Sequence, residues 1–404
     1  MKIDWLKPLL GHPGPFATLY LDATPSDKAA DRDVANRWRA ARKDLVAQGA
    51  PQDVLDAVEE VVDRPTWVAG PHGRVVVADG TGVLVDRVLH EPPTSTKARW
   101  SPVPELVQTI RAADESVELL MVTIDRQGAD FMRAGFAGRS YEVYTAPHDE
   151  IAKVASPGTS QTRIESRAED SWGRNADAIA AEVERRVDAT HPELVILTGD
   201  VRAVSLVHER LHRPVAECCV EVPGGARRGA ASNGGGSFTD RVSEALDSFR
   251  ERRRERVLAQ LRQGLGRDEG AVSSVGDVVA VLARGQVAEL VFAEEYGNGG
   301  GQMNGRTLWV GPEPVHIAPA REDLEALGVG PDGIRELPAV VALVRAAIGQ
   351  DAGLTFAPEG SVGAGHSGIP DGVAATLRWH DGETPHEVAA TMSGDDVRLR
   401  GDRV

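Results

Sequence analysis

The sequence predicts an α/β protein of three domains, on three observations. Val117–Val222 alternates short apolar runs with long helical patterns, the signature of strands and helices sharing one core. Prolines at Pro92-Pro93, Pro102 and Pro104 interrupt the chain before that stretch, and the Gly-rich segment Pro223–Ser237 (PGGARRGAASNGGGS) interrupts it afterwards. At 404 residues there is room for two or three cores.

The first predicted domain covers residues 1–100. Phe16–Leu21 reads as a strand, and Asp27–Gln48 and Gln52–Val62 as helices separated by Gly49-Ala50-Pro51. Arg74–Ala78 and Val83–Val88 form a hairpin around Asp79-Gly80-Thr81-Gly82.

The middle domain, residues 117–222, opens with the buried strand Val117–Ile124. Ala129–Ala134 and Arg139–Thr145 follow as strand-length runs, turned by Gln127-Gly128 and by Gly135 and Gly138. After Pro147 the pattern stops at a loop, Val154–Gln161 (VASPGTSQ), and a long helix begins. Its apolar positions recur at helical spacing, Ile164, Ala168 and Trp172, then Ile179, Val183 and Val187. Glu193–Thr198 is predicted as a strand, Val201–Leu211 as a helix and Pro214–Val222 as a strand.

The third domain, residues 238–380, starts with a long helix carrying Val242, Leu246 and Phe249 and then Val257, Leu258 and Leu261 on one face. Val278–Leu282 and Leu337–Ile348 are predicted helices; Glu289–Phe292, Thr307–Val310, Gly353–Phe356 and Gly372–Trp379 are predicted strands. Residues 381–404 read as a polar, mobile tail.

Composition narrows the function. The formal net charge is −16, so bulk attraction to nucleic acid is excluded and any RNA contact needs a local basic patch. Aromatic residues make up 4%, too few for a base-stacking sheet. No apolar run reaches 18 residues, and the start MKIDWLKPLLGHPG is too interrupted for a signal peptide. Cys218 and Cys219, the two cysteines, are adjacent and form no disulfide framework. A cytoplasmic protein without membrane contact is expected.

Local basic patches do occur. Between Gly224 and Arg262 there are nine Arg or Lys against five Asp or Glu, including Arg227, Arg228 and the run Arg250–Arg256 (RERRRER). Arg252, Arg253 and Arg254 are therefore candidate RNA contacts, with a solvated helix face as the alternative. The Gly-rich segment lacks the Gly-Lys-Ser/Thr ending of a phosphate loop, so no nucleotide is expected there.

The loop Gly158-Thr159-Ser160-Gln161 is the candidate catalytic element through the family resemblance set out in the next paragraph. Lys153 precedes it, and Arg163, Arg167 and Arg174 follow on the helix, as RNA-facing charges. Glycine lets backbone N–H groups approach a developing oxyanion, and a glutamine amide can order water; Gly158, Ser160 and Gln161 are the residues expected to act.

Three strands, a Gly-containing loop ending in Gln, a long helix and then strand–helix–strand resemble the middle domain of the archaeal and eukaryotic peptide release factor and Pelota family. That family includes the ankyrin-repeat/zinc-finger peptidyl-tRNA hydrolase and, among bacterial relatives, the hibernation factor Balon. The resemblance implies a ribonuclease-H-like middle domain and a small C-terminal α/β domain that docks a translational GTPase. It also implies partnership with ribosomal RNA and tRNA, with hydrolysis of the peptidyl-tRNA ester in rescue or quality control. A non-catalytic hibernation or stress factor is the alternative. Residues 1–100 hold no Asn-Ile-Lys-Ser-like motif, so stop-codon reading is not expected.

Two further motifs compete. Gly300-Gly301-Gln302 is the family's literal triplet, but Glu294-Glu295 precede it and no long helix follows, so a strand-connecting turn is expected. His208-Glu209-Arg210-Leu211-His212 matches a zinc hydrolase pattern, two His at i, i+4 with Glu as base. Pro214 ends that helix, so no metal and no cofactor are expected.

Overall fold

The computed structural model describes residues 3–24, 30–66, 71–89, 92–135, 138–147, 161–227, 235–267, 269–294, 305–358, 360–362 and 369–385. Its contacts divide the chain into two units. One comprises Met1–Pro65, Gly70–Glu115 and Arg253–Val404; the other comprises Thr66–Ala69 and Ser116–Arg252.

The first unit begins with β1 (Phe16–Asp22), α1 (Ala30–Ala47), α2 (Gln52–Val62), β2 (Gly73–Asp79), β3 (Gly82–Leu89), β4 (Lys97–Ser101) and α3 (Val107–Glu115). The four strands form an antiparallel sheet in the order β3-β2-β1-β4. The run Val75-Val76-Val77-Ala78 in β2 is wholly buried because both faces of the sheet are covered. Leu19, Leu21, Val76 and Ala78 pack with Trp38, Leu45 and Val58 from α1 and α2. On the other face Tyr20 accepts a bond from Thr109 N at 3.1 Å and donates to Glu105 O at 2.5 Å. Burial pushes this phenol up to about 12.

The second unit contains β5 (Leu119–Ile124), β6 (Gly128–Gly135), β7 (Gly138–Thr145), α4 (Gln161–Thr190), β8 (Leu194–Gly199), α5 (Val201–His208), α6 (Arg213–Ala216) and β9 (Cys219–Glu221). Its sheet runs β7-β6-β5-β8-β9, antiparallel across β7-β6-β5 and parallel across β5-β8-β9. Val122, Ile124 and Leu197 on one face meet Ile179 and Val183 of α4 and Val204 and Val207 of α5. On the other face Leu119, Leu194 and Ile196 meet Phe238, Val242, Leu246 and Phe249 of α7 (Gly235–Arg267). The same helix gives Leu258 and Leu261 to a core of the first unit.

The remaining elements are β10 (Ala271–Ser273), α8 (Val275–Ala283), β11 (Val287–Ala293), β12 (Thr307–Val310), β13 (Ile317–Ala318), α9 (Arg321–Ala326), β14 (Arg335–Pro338), α10 (Ala339–Gly349), β15 (Gly353–Ala357) and β16 (Val373–Leu377). They form two sheets, β10-β16-β11-β15 and β13-β12-β14. The protein is thus mixed α/β with several sheets, the fold class expected from its sequence.

Among the elements that differ from their sequence-based expectation, three stand out. Pro214–Val222 is no single strand. Pro214 lacks the N–H a ladder needs and suits the first turn of a helix, so α6 forms and only Cys219–Glu221 pairs. Cys218 therefore lies before the strand, not on a face of it, and both cysteines are free thiols. The helix expected from Leu337 begins at Ala339, because Leu337 pairs with Leu308 in a short antiparallel ladder. Finally, the polar stretch expected as a tail from residue 381 starts with an anchored turn. Gln286 Nε2 donates to Thr384 Oγ1 at 2.9 Å, and Arg284 meets Asp381 at 2.6 Å.

Candidate nucleic-acid interface

Backbone geometry at the carboxyl ends of the parallel strands β5 and β8 builds the site. Gly199 has φ of +125°, and a Cβ there would lie 2.0 Å from Ile124 O, so only glycine lets β8 end so close to β5. Asp200 then caps α5 by accepting from Ala203 N at 3.0 Å. At the end of β5, Asp125 Oδ1 accepts from Gln127 N and Gly128 N at 2.8 and 2.9 Å, turning the chain into β6.

These two turns present Arg126 and Arg202 to one side chain of α4. The Arg126 guanidinium lies 4.2 Å from the centre of the Trp172 ring, and that of Arg202 lies 5.5 Å from it. Asn175, one turn along α4, donates to Arg126 O at 3.0 Å, and Asp200 lies 3.7 Å from the Arg126 guanidinium. The pocket under this group is about 10 Å³, room for about one water. It cannot take a small substrate; what it offers is a surface of cations around an indole.

Arg174 of α4 stands about 200° around the helix from Trp172 and so belongs to a different face. Asn175, Ala176, Ile179, Ala180 and Val183 form the buried stripe of the helix. At about 100° per residue, positions 163, 167 and 174 share the stripe opposite to it. Arg174 is exposed there.

The structure redistributes the residues expected from sequence. Lys153, Gly158 and Ser160 lie outside the described residues, as do Arg228 and Gly300-Gly301-Gln302. Gln161 is the first residue of α4, and only the backbone placement of Arg163 and Arg167 is described. Arg227 is turned inward. Its Nε donates to Asp130 Oδ1 at 2.9 Å and its Nη1 to Asp125 Oδ1 at 2.8 Å. Burial disfavours this guanidinium, and the two carboxylates outweigh it, so its pKa sits above the usual value. Asp130 itself is buried and also accepts from Tyr141 OH at 2.5 Å. Arg227 thus fastens the start of the Gly-rich segment to the sheet and is not free for phosphate.

The Arg252–Arg254 group also splits. Arg252 is exposed, whereas Arg253 and Arg254 are half-buried. Arg253 Nη2 donates to the backbone oxygen of Asp114, and both guanidiniums lower the energy of the buried Asp114 carboxylate. Burial still dominates and pushes that carboxyl above the usual range; its Oδ2 accepts from Phe356 N at 3.2 Å. The run is therefore not a uniformly solvated helix face.

The zinc pattern fails for a geometric reason. Helix α5 ends at His208, so His212 is not one turn further along it. His208 Nδ1 lies 2.6 Å from Glu221, and His212 Nδ1 lies 2.7 Å from Glu184. The two imidazoles address different carboxylates, and among the described residues no three His, Cys, Asp or Glu converge as a metal site. Glu294, one of the two acids that precede Gly300, pairs with Arg111 at 2.9 Å.

Arg126 and Arg202 were not legible as site residues. Each follows an aspartate at a strand end, Asp125-Arg126 and Asp200-Val201-Arg202, and that repeated placement was the available signal. Trp172, expected in the core from its spacing, is half-buried and faces the arginines instead.

Residues 118–267 match the model of bacterial archaeo-eukaryotic release factor family 2. The uncharacterized protein Rv2629 of Mycobacterium tuberculosis is 27% identical over 370 residues, covering 90% of this chain and 96% of the relative. Among solved structures, archaeal Pelota from a ribosome-bound assembly with ABCE1 is 12% identical, with 93% of each chain covered and a TM-score of 0.40. Dom34 of S. cerevisiae, a translation termination-like factor interacting with Hbs1, is 8% identical, covering 78% of this chain and 81% of its own, with a TM-score of 0.37.

Proposed function

From the premise that the chain is a bacterial relative of the archaeal and eukaryotic release factor and Pelota family, we propose that it is a ribosome-associated, release-factor-like protein acting in the A site. The observation that carries this reading is the coincidence of the family match with the arginine–tryptophan surface at the foot of α4. The segment 148–160 lies between β7 and α4 and carries Gly158 and Ser160 to Gln161 at the start of the helix. In this reading the middle domain is ribonuclease-H-like, and Arg126 and Arg202 hold rRNA or tRNA phosphates. The loop then reaches the peptidyl-tRNA ester. The region 238–380 is the side offered to a translational GTPase, and the protein works in the cytoplasm. Among the described residues no helix is long and apolar enough to cross a membrane.

Within this reading the loop either hydrolyses the ester or only occupies the site, as in hibernation. One observation favours occupancy: Gln161 is already helical, and a single glycine precedes it at this motif. Hydrolysis needs a donor or an ordered water present in the transition state. Purified protein on ribosomes stalled with labelled peptidyl-tRNA separates the two. If Gln161 positions water, Gln161→Ala retains binding and slows cleavage by roughly 10²–10³. Binding without cleavage by the natural chain identifies an occupant, and loss of cleavage only in Gln302→Ala would transfer the chemistry to the other triplet.

A further inference from the structure

The first unit contains a cavity of about 210 Å³ that the proposed ribosomal role does not use. Its walls are apolar, with Leu9, Phe16, Leu106, Leu337, Val341 and Ile348 among the lining residues. Two cations, Arg335 of β14 and Arg345 of α10, also line it.

Among the described residues the bonding of these arginines is incomplete. Arg345 Nη1 donates to Glu313 O at 3.0 Å, and its Nη2 donates to Gly311 O at 2.9 Å and Pro312 O at 2.6 Å. A guanidinium has five N–H donors, so five less these three leaves two. Among the described residues Arg335 makes one bond, from Nη1 to Pro13 O at 3.1 Å. Among the described residues all of these acceptors are neutral carbonyls, and neither arginine has a carboxylate at ion-pair distance. Burial and the like charge of Arg335 both push the pKa of Arg345 down, with Glu313 a weaker opposing influence. Among the described residues, two cations beside an apolar cavity with unused donors lack an anion.

We infer that this cavity binds a small apolar carboxylate, its oxygens between Arg335 and Arg345 and its hydrocarbon part against Leu106, Val341 and Ile348. Planar guanidinium donors suit a carboxylate, and the apolar walls reject a fully hydrated anion. The ligand is a free small molecule, so binding needs neither ribosome nor nucleic acid.

Calorimetric titration of the full chain with octanoate, octanol and octylamine tests this. Octanoate binds at one site, octanol at least roughly 10-fold more weakly because charged hydrogen bonds are lost, and octylamine not at all. Arg335→Gln, at an exposed position, weakens octanoate by about 10-fold and leaves the melting temperature of the free protein unchanged. Val341→Phe fills the cavity from α10 and abolishes binding, while circular dichroism confirms that the variant is folded. No octanoate binding at millimolar concentration overturns the inference. So does equal binding of octanol or octylamine, or octanoate binding undiminished in both variants.

Discussion

Two groups of arginines in this protein meet opposite fates. Arg126 and Arg202 stand at strand ends of the second unit, held against a half-buried indole and facing outward. Arg253 and Arg254 belong to a basic run on α7, yet both turn toward the buried Asp114 of the first unit. The denser run looks like the better RNA site, and the sparser pair has the better geometry. Charge along a sequence says little about exposure, because helix period decides which member of RERRRER meets a core. In Arg250–Arg256 it leaves Arg252 outside and directs its two successors inward.

The largest expected effect lies with the inward pair. Arg253→Glu with Arg254→Glu places two acids beside a buried carboxyl, at a cost on the order of 3–5 kcal/mol, the scale of a broken buried charge pair. Thermal denaturation should show a destabilised first unit; an unchanged melting temperature would mean that these side chains are solvated after all. Next comes the outward pair. Arg126→Ala with Arg202→Ala should leave melting nearly unchanged and weaken ribosome binding by roughly 10-fold or more. The slope of log affinity against log salt should fall by about 1.4–1.8, at roughly 0.7–0.9 per phosphate contact. A milder effect distinguishes the buried carboxyl. Its folded pKa is raised above the unfolded value of about 3.9, so the stability that this one group contributes is complete below that pH and is lost as pH rises through the folded pKa. Asp114→Asn mimics the neutral form. It should melt higher than wild type at neutral pH, and the gap should close as pH falls below about 4. An Asn variant melting lower at every pH would show that the charge is needed to hold Arg253. The smallest effect is expected at Arg252→Glu, within about 0.5 kcal/mol in stability.

Much of the fold was legible because the middle stretch obeys simple periods. Leu119–Ile124 and Leu194–Gly199 are apolar runs of strand length, and Ile179 and Val183 recur on the buried face of α4. What sequence missed depends on distant partners. Leu337 became a strand residue only because Leu308 lies opposite it. Arg227 resembled a linker cation until Asp125 and Asp130 were seen beside it. Trp172 fitted a core spacing, but the strand-end turns at Asp125 and Asp200 place Arg126 and Arg202 over its ring. Such contacts join residues as far apart as 126 and 202, and no local pattern contains them.

The central claim is that the arginines around Trp172, rather than those of the α7 run, face ribosomal RNA. Cosedimentation with ribosomes across a salt series tests it directly, comparing natural protein, Arg126→Ala/Arg202→Ala and Arg252→Glu. The account predicts binding by the natural chain, a weaker affinity and shallower salt slope in the double variant, and near-natural behaviour in Arg252→Glu. No ribosome association at low salt, or a loss confined to Arg252→Glu, would contradict it.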